Sequence, residues 1–263
     1  MSNIHAWAWP PNRLDDDQYI RECLTLTGLN GVILWPDQWR HAETLTDNGI
    51  SVIGYANRAA SLTSTNLPYA QDLGGIIVGD EPNAHNGTAT NYLIDYGAAA
   101  ALLEGAGFRG WYQLAGLAAG ATLFGKYNPK LDTEWLDVFI SAAHDRGARV
   151  GVNMFWRSAN DTLRGVRKRT RKLGVRPAVA FSSGFENFAW WREPVSWAYR
   201  EFLGWDWLLD DPNSGFDFRG VWCLHTSSTP VNDQSANQWG LIRNDGAGPR
   251  LTRTGTLMRK YNA

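Results

Sequence analysis

Two stretches of the sequence place carboxylates directly after short apolar runs. In Gly74–Asn83 (GGIIVGDEPN), β-branched residues lead into Asp80 and Glu81. In Pro177–Asn187 (PAVAFSSGFEN), a second apolar run leads to Glu186. Two carboxyl groups that face each other across a cleft can divide acid–base work, because one can donate a proton while the other attacks as a nucleophile or activates water. Glu81 and Glu186 are therefore the candidate catalytic pair.

The spacing of apolar segments predicts the elements that must position these acids. Short β-branched or aromatic runs alternate with helix-sized segments along the whole chain, which is typical of parallel strands joined by helices. The predicted strands are Ile4–Trp9, Gly31–Trp35, Ile50–Tyr55, Ile76–Val78, Gly110–Leu114, Arg149–Phe155, Pro177–Phe181 and Gly220–Leu224. The predicted helices include Asp15–Thr27, Pro36–Asp47, Asn91–Gly105, a helix through Trp135 and Phe139, a basic helix ending at Leu173, Glu193–Leu209 and Leu251–Tyr261.

Eight strands with helix-sized connections predict a single (β/α)8 TIM barrel that spans residues 1–263 as one catalytic domain. A doubly wound sheet would have the same alternation, but the glycine fingerprint that binds phosphate is missing after the first strand, where Pro10 and Pro11 stand. In a barrel, the carboxyl ends of strands four and seven face each other across the mouth. The fold therefore brings Glu81 and Glu186 into one cleft.

The residues around these acids resemble clan A glycoside hydrolases. Glu81 in GDEPN is similar to their acid/base motif, usually written Asn-Glu-Pro, and Glu186 after strand seven is similar to their nucleophile. The tail segment 237–242 (NQWGLI), followed by a last helix, also resembles their C-terminal ends. Here Asp80 stands where the family has the Asn that holds the sugar 2-hydroxyl. The resemblance implies a retaining hydrolase that cleaves O-glycosidic bonds of an oligo- or polysaccharide.

Other residues at predicted strand ends are suited to a sugar cleft. Flat aromatic rings cover the apolar faces of sugars, and amide or carboxylate groups bind hydroxyls. The candidate substrate-binding residues are Asp80, Trp9, Trp35, Asn57, Gln113, Asn153, Trp156, Trp222 and His225. Each also has a structural interpretation, because the 14 Trp of the chain could fill the core and a histidine is more often a structural group than a ligand contact.

Composition excludes several function classes. The formal net charge of −1 gives no general attraction to nucleic acid, and no apolar stretch is long enough to predict a membrane span. The five His show no metal-binding spacing, so we expect neither a metal nor a cofactor. The two cysteines, Cys23 and Cys223, are expected to be buried free thiols. The N-terminal sequence lacks a signal-peptide pattern, which predicts a cytoplasmic protein or one exported by another route. Nothing in the sequence indicates an oligomeric state.

Several alternatives remain open at this point. Asp80 and Glu81 could simply stabilise the first turn of a helix, Glu186 could be an exposed loop acid with Glu193 as the second carboxylate, or Asp80 and Glu81 could act together. A non-catalytic carbohydrate-binding barrel, similar to an adhesin, is the alternative from another class. The basic run from Arg164 to Lys172 could bind a polyanion, or it could be the solvated face of an outer helix.

Overall fold

Eight parallel strands close into a barrel in which each strand pairs with the next along the chain and β8 pairs with β1. The strands are β1 (Ile4–Trp7), β2 (Gly31–Leu34), β3 (Ser51–Ala56), β4 (Gly75–Val78), β5 (Trp111–Gly120), β6 (Arg149–Phe155), β7 (Pro177–Ser182) and β8 (Phe218–Trp222). The computed structural model describes residues 4–9, 14–83, 87–120, 133–155, 159–182, 216–225, 240–244 and 248–262. The predicted (β/α)8 fold is confirmed.

Helices and short 3-10 turns connect the strands on the outside of the barrel. The helices are α1 (Asp17–Thr27), α2 (Ala42–Asp47), α3 (Ala89–Gly105), α4 (Thr133–Arg146), α5 (Ala159–Lys172) and α6 (Arg253–Asn262), with 3-10 turns at Pro36–His41, Ala59–Ser61 and Leu67–Asp72. An antiparallel hairpin that was not predicted from the sequence, β9 (Ile242–Asn244) and β10 (Pro249–Leu251), precedes α6. The predicted helix Glu193–Leu209 lies outside the described residues.

The fifth strand is twice as long as predicted. The strand was predicted to end at Leu114 and to be followed by a Gly/Ala-rich loop from Gly116, but β5 continues to Gly120. The prediction was wrong because Gly and Ala have low strand propensity, whereas here they pair with β6 across the barrel wall. Between Gln113 and Gly116 the register against β6 shifts by one residue, so β5 contains a β-bulge.

The barrel interior is filled by large side chains that lie over glycines of neighbouring strands. A Cβ on Gly220 would lie 2.4 Å from the Trp7 ring, and one on Gly75 would lie 2.0 Å from the Trp111 ring. These two tryptophans, with Ile77 and its neighbours, form an inner apolar cluster, while Val78 and similar outward residues pack under the helices. Part of the high Trp content is therefore core packing, as the structural interpretation allowed.

The amino-terminal end of the barrel carries a buried charge. Arg149, the first residue of β6, donates a hydrogen bond from Nε to Asp217, and its guanidinium lies 3.8 Å from the centre of the Trp111 ring. Burial lowers the pKa of Arg149, while the nearby Asp217 carboxylate opposes that shift. The ion pair and the aromatic ring together compensate for taking this cation out of water.

The two cysteines are free and buried, as predicted. Burial raises the pKa of the Cys23 thiol to about 12, and it raises the pKa of Cys223 still further. Both thiols therefore stay protonated and unreactive in the folded protein at neutral pH. Among the described helices, none combines the length and the apolar character that crossing a membrane would require.

Candidate active site

Glu81 lies at the carboxyl end of β4 in a turn that the backbone holds under strain. The strand ends at Val78, Gly79 follows with φ of 99°, and Glu81 itself has φ of 36°. Glu81 is the one described non-glycine residue with positive φ, a conformation that costs about 1 kcal/mol or more for a residue with a side chain. Its side chain is only 8% exposed. Strain at a nearly buried carboxyl group is typical of a functional position.

Asn153 of β6 holds this carboxyl group. Its Nδ2 donates a hydrogen bond to Oε1 of Glu81 across 2.9 Å. The other end of the amide lies over β5, where a Cβ on Gly116 would lie 1.9 Å from Oδ1 of Asn153. Glycine is therefore required at position 116, because any side chain there would displace the amide that contacts Glu81.

One polar side chain and one backbone N–H bind the acidic turn, which contains Asp80 and Glu81, to the neighbouring strands β5 and β3. Asn83 accepts a hydrogen bond from the Ala118 N–H at 2.9 Å and donates one to the Ala118 carbonyl at 3.0 Å. The Gly79 N–H donates to the Ala56 carbonyl of β3 at 2.7 Å. The turn is thus bound on both sides, and the position of Glu81 follows from backbone contacts to two neighbouring strands.

Tyr92 of α3 connects the end of β4, just before the acidic turn, with β5. Its hydroxyl donates to the Val78 carbonyl at 2.6 Å and accepts from the Ala115 N–H at 2.7 Å. The bulge in β5 takes Ala115 out of the strand ladder, and the hydroxyl supplies the missing acceptor. Burial raises the pKa of Tyr92 well above its usual value, so the hydroxyl keeps the proton that it donates. A Cβ on Gly79 would lie 2.4 Å from the Tyr92 ring, which excludes larger residues there.

Aromatic rings line the mouth next to the acidic turn. Trp9 and Trp35 are partly buried with ring centroids 5.3 Å apart, and Trp35 meets Tyr55 edge-on at 4.7 Å. Burial raises the pKa of Tyr55 well above its usual value, and the charge and hydrogen bond of Asp80 raise it further. The rings and Asp80 therefore form one continuous wall from the ends of β1 and β2 to the end of β4.

The structure brings together some of the residues that were predicted as site residues. Glu81, Asp80, Asn153, Trp9 and Trp35 lie at the carboxyl-terminal rim of the barrel, and Asn57 lies there as an exposed residue just after β3. Glu186, Trp156 and the alternative acid Glu193 lie outside the described residues, as does the side chain of Trp222, with which β8 ends.

Gln113 lies away from the rim, whereas His225 lies beside Trp9 at the carboxyl-terminal end, where its N–H donates to the Trp9 carbonyl and its side chain contacts α1. Gln113 is the third residue of the lengthened β5, pairs with Arg149 at the amino-terminal start of β6, and is buried over Gly151. His225 is fully buried, and its Nε2 lies 3.0 Å from the hydroxyl of Tyr19 on α1. Gln113 was expected at the mouth because strand five was predicted to end at Leu114. His225 is a buried histidine with a hydrogen-bond partner, which agrees with its structural interpretation.

The supporting roles of Tyr92 and Asn83 were not predicted from the sequence. Asn83 belongs to the quoted GDEPN motif, but nothing in a motif shows that its amide pairs with a strand 35 residues later. Tyr92 has the spacing of an ordinary core residue on α3, and its role depends on the bulge. Within the described residues, no group of three or more His, Cys, Asp or Glu could hold a metal ion.

Comparison with known proteins supports the fold at low sequence identity. No protein-family model and no curated protein matches the sequence. The chain is similar to a glycosylated endo-β-1,4-xylanase of glycoside hydrolase family 10 from Gloeophyllum trabeum, with a TM-score of 0.63 and 12% identity over 99% of this chain and 96% of that one. It is also similar to a hyperthermostable endo-1,4-β-D-mannanase from Thermotoga petrophila RKU-1, with a TM-score of 0.58 and 9% identity over 100% and 99% of the two chains.

The barrel also resembles a protein of different chemistry. A protein from Toxoplasma gondii ME49 named as a deoxyribose-phosphate aldolase has a TM-score of 0.51 and 12% identity over 84% of this chain and 89% of that one. Likenesses at such identities establish a shared barrel architecture. The chemistry must therefore be argued from the residues at the rim.

Proposed function

We propose that this chain is a glycoside hydrolase that cleaves O-glycosidic bonds of an oligo- or polysaccharide with retention of configuration. The observation that carries the proposal is the nearly buried Glu81, held at the end of β4 by Asn153 beside a wall of aromatic rings. The xylanase and the mannanase, which share the barrel along nearly their whole length, support the same class of reaction.

In the first step Glu81 acts as the general acid. Asn153 occupies Oε1, so the proton lies on Oε2 and passes to the glycosidic oxygen as its bond to the anomeric carbon breaks. Glu186 attacks the anomeric carbon from the opposite face and forms a covalent glycosyl–enzyme bond. The released alcohol carries the proton away, and Glu81 is left as a carboxylate that the Asn153 amide stabilises.

In the second step Glu81 acts as the general base. It takes a proton from a water molecule, whose oxygen attacks the anomeric carbon and displaces the Glu186 carboxylate. Two inversions give net retention, which requires the two carboxyl groups to lie about 5–5.5 Å apart. A structure that describes Glu186 at a separation of about 6.5–9.5 Å would instead favour an inverting enzyme.

The aromatic wall beside Glu81 is the proposed sugar-binding surface. Trp9, Trp35 and Tyr55 offer apolar ring faces and edges, and Trp156 and Trp222 are proposed to extend this surface. Asp80 and Asn57 can bind hydroxyl groups, and Asp80 is already oriented by Tyr55. A site with this composition fits uncharged pyranose rings better than a phosphate ester, since the described acids of the turn would repel an anion.

The proposal is tested with a panel of chromogenic glycosides and polysaccharides, followed by reducing-end release. We expect Glu81→Gln and Glu186→Gln each to lower kcat at least about a hundredfold, because each removes one partner of the acid–base cycle. Added azide should restore activity to Glu81→Ala with a product of retained configuration and to Glu186→Ala with an inverted product. Full activity in either Gln variant would refute its role.

The same panel separates the proposal from a non-catalytic carbohydrate-binding barrel. That alternative predicts that glycans bind to the wild-type protein without release of reducing ends. The third possibility, in which Asp80 and Glu81 act together, predicts that Asp80→Asn is more damaging than Glu186→Gln. A matched comparison of these two variants on one substrate distinguishes the two mechanisms.

A further inference from the structure

We infer that the outer face of α5 binds an anionic polysaccharide, a role separate from the chemistry at Glu81. The fourteen residues of α5 carry six of the 25 Lys and Arg of the chain, in the sequence ANDTLRGVRKRTRK, with Asp161 as their single acid. The chain as a whole is close to neutral, with a formal net charge of −1. Positive charge is therefore concentrated on this helix.

The helix separates its apolar and cationic residues onto opposite faces. Leu163, Val166 and Thr170 are buried toward the barrel, which is the spacing of one helical face. Four cations on the other side are exposed and form what we call the cationic row: Arg164, Lys168, Arg171 and Lys172. The side chains of the row are exposed to solvent, so they contribute nothing to the packing of the core.

Ordinary structural roles account for only part of this charge. Arg169 forms an ion pair with Asp137 of α4, and cations near the C-terminus of a helix, such as Lys172, interact well with the helix dipole. No residue of the cationic row forms an ion pair within the part of the chain that the structure describes. Like charges three and four positions apart, as in Arg164 and Lys168, repel each other. An anion that bridges them would relieve that repulsion.

The geometry of the row fits a polymer with regularly repeated charges. Arg164, Lys168 and Lys172 are spaced four residues apart, which places them about 6 Å apart along the helix axis. The sequence of α5 contains no aromatic residue on which a nucleic-acid base could stack. The apolar face is buried against the barrel, so it is not available to insert into a lipid bilayer. A chain of uronate or sulfated sugars, bound by charge, is the occupant that these observations favour.

The position of α5 connects the row with the candidate cleft. The helix follows β6, whose Asn153 contacts Glu81, and it runs back along the barrel from that rim. Arg164 is therefore the residue of the row nearest to the mouth. A glycan with neutral sugars at the rim and charged sugars beyond it would continue along this face, an extension that rests on the proposed function, whereas binding to the row itself does not depend on cleavage.

The test uses polygalacturonate as the probe and the Glu81→Gln protein, so that cleavage does not interfere with binding. The test variant carries Arg164→Gln, Lys168→Gln and Lys172→Gln. The control variant removes the same charge from three exposed positions elsewhere, with Arg109→Gln, Arg259→Gln and Lys260→Gln. Binding is measured by calorimetry at about 50 mM and about 300 mM salt, since screening weakens contacts between exposed charges.

We expect the test variant to lose roughly tenfold in affinity and the control variant to change less than about twofold, because three exposed charge contacts are lost in the first case only. Fully methyl-esterified polygalacturonate, which has no charge, should not bind the row. Equal binding by the two variants would overturn the inference. Tighter binding of single-stranded DNA of matched charge, or of phosphatidylserine vesicles, would assign the face to another partner.

The outcome is distinguishable from a failure of the proposed function. Polygalacturonate binding through the row, with no glycoside cleaved by the wild-type protein, would leave the inference standing and refute the hydrolase. Cleavage of neutral glycans without charge-dependent binding would do the opposite. Circular dichroism of both triple variants establishes that a loss of binding does not come from unfolding of α5.

Discussion

Replacing Tyr92 by Phe removes one oxygen atom from beneath the acidic turn and leaves the ring in place. That oxygen connects the Val78 carbonyl of β4 with the Ala115 N–H in the β5 bulge, at 2.6 and 2.7 Å. The ring stacks on Phe139 with centroids 4.8 Å apart, a contact that phenylalanine keeps. The substitution therefore tests the hydroxyl with little change in packing.

The expected loss of stability follows from the two backbone groups that are left without a partner. A buried polar group without a hydrogen bond costs about 1–3 kcal/mol, and water cannot easily replace the hydroxyl at this buried position. We expect Tyr92→Phe to lower the free energy of unfolding by about 2–4 kcal/mol, which for a chain of this size corresponds to roughly 5–15 °C in Tm.

Urea unfolding followed by Trp fluorescence measures this loss. The control is Tyr96→Phe, one turn further along α3, because Tyr96 is also buried but its hydroxyl forms no hydrogen bond within the described residues. We expect Tyr96→Phe to change the free energy of unfolding by less than about 0.5 kcal/mol. Equal effects of the two substitutions, at an unchanged m-value, would show that the Tyr92 hydroxyl does not hold the two strands together.

Three further predictions concern the hydrogen bond from Asn153 to Glu81, the ion pair of Arg149 at the amino-terminal end of the barrel, and the buried thiol of Cys23. Asn153→Ala should lower kcat roughly ten- to hundredfold with KM changed less than about threefold, because it removes a charge-assisted hydrogen bond from Glu81. An effect on KM alone would contradict this prediction. Asp217→Asn, which weakens the pairing of buried Arg149, should cost about 1–3 kcal/mol in urea unfolding, whereas Asp137→Asn at an exposed pair should cost less than about 1 kcal/mol. Burial raises the pKa of Cys23 from 9.0 to about 12, so the folded state keeps a proton that the unfolded state loses above pH 9. Between pH 8 and pH 10 the wild-type protein should therefore lose about 1.4 kcal/mol more than Cys23→Ala, and parallel pH profiles would rule out this linkage.

The architecture could be predicted from the sequence because the strands of the barrel are buried on both faces. A run such as Gly75–Val78, in which every residue is buried, reads as an uninterrupted apolar segment between glycines and polar residues. Seven of the eight strands were placed within about two residues of their observed ends. The carboxyl ends of parallel strands meet at one rim, so the neighbourhood of Glu81 and Asn153 followed from topology alone.

Predictions failed where a residue's role depends on a partner that is distant in the chain. The fifth strand was cut short because its Gly and Ala residues are weak strand formers, and pairing with β6 overrides that preference. Gln113 was consequently expected at the mouth. The roles of Tyr92 and Asn83 depend on contacts with Ala115 and Ala118, and no local pattern in the sequence specifies those contacts.

The extra residue in β5 fixes how this chain can be aligned with other barrels. Before it, odd-numbered residues such as Gln113 point inward; after it, even-numbered residues such as Gly116 do, and Leu117 packs outward. Any sequence alignment with a barrel that lacks the insertion must open a one-residue gap here. Without the gap, Ala115 would be assigned to the position of Gly116, over which the Asn153 amide lies, and every later residue of the strand would be compared with its counterpart on the wrong side of the wall.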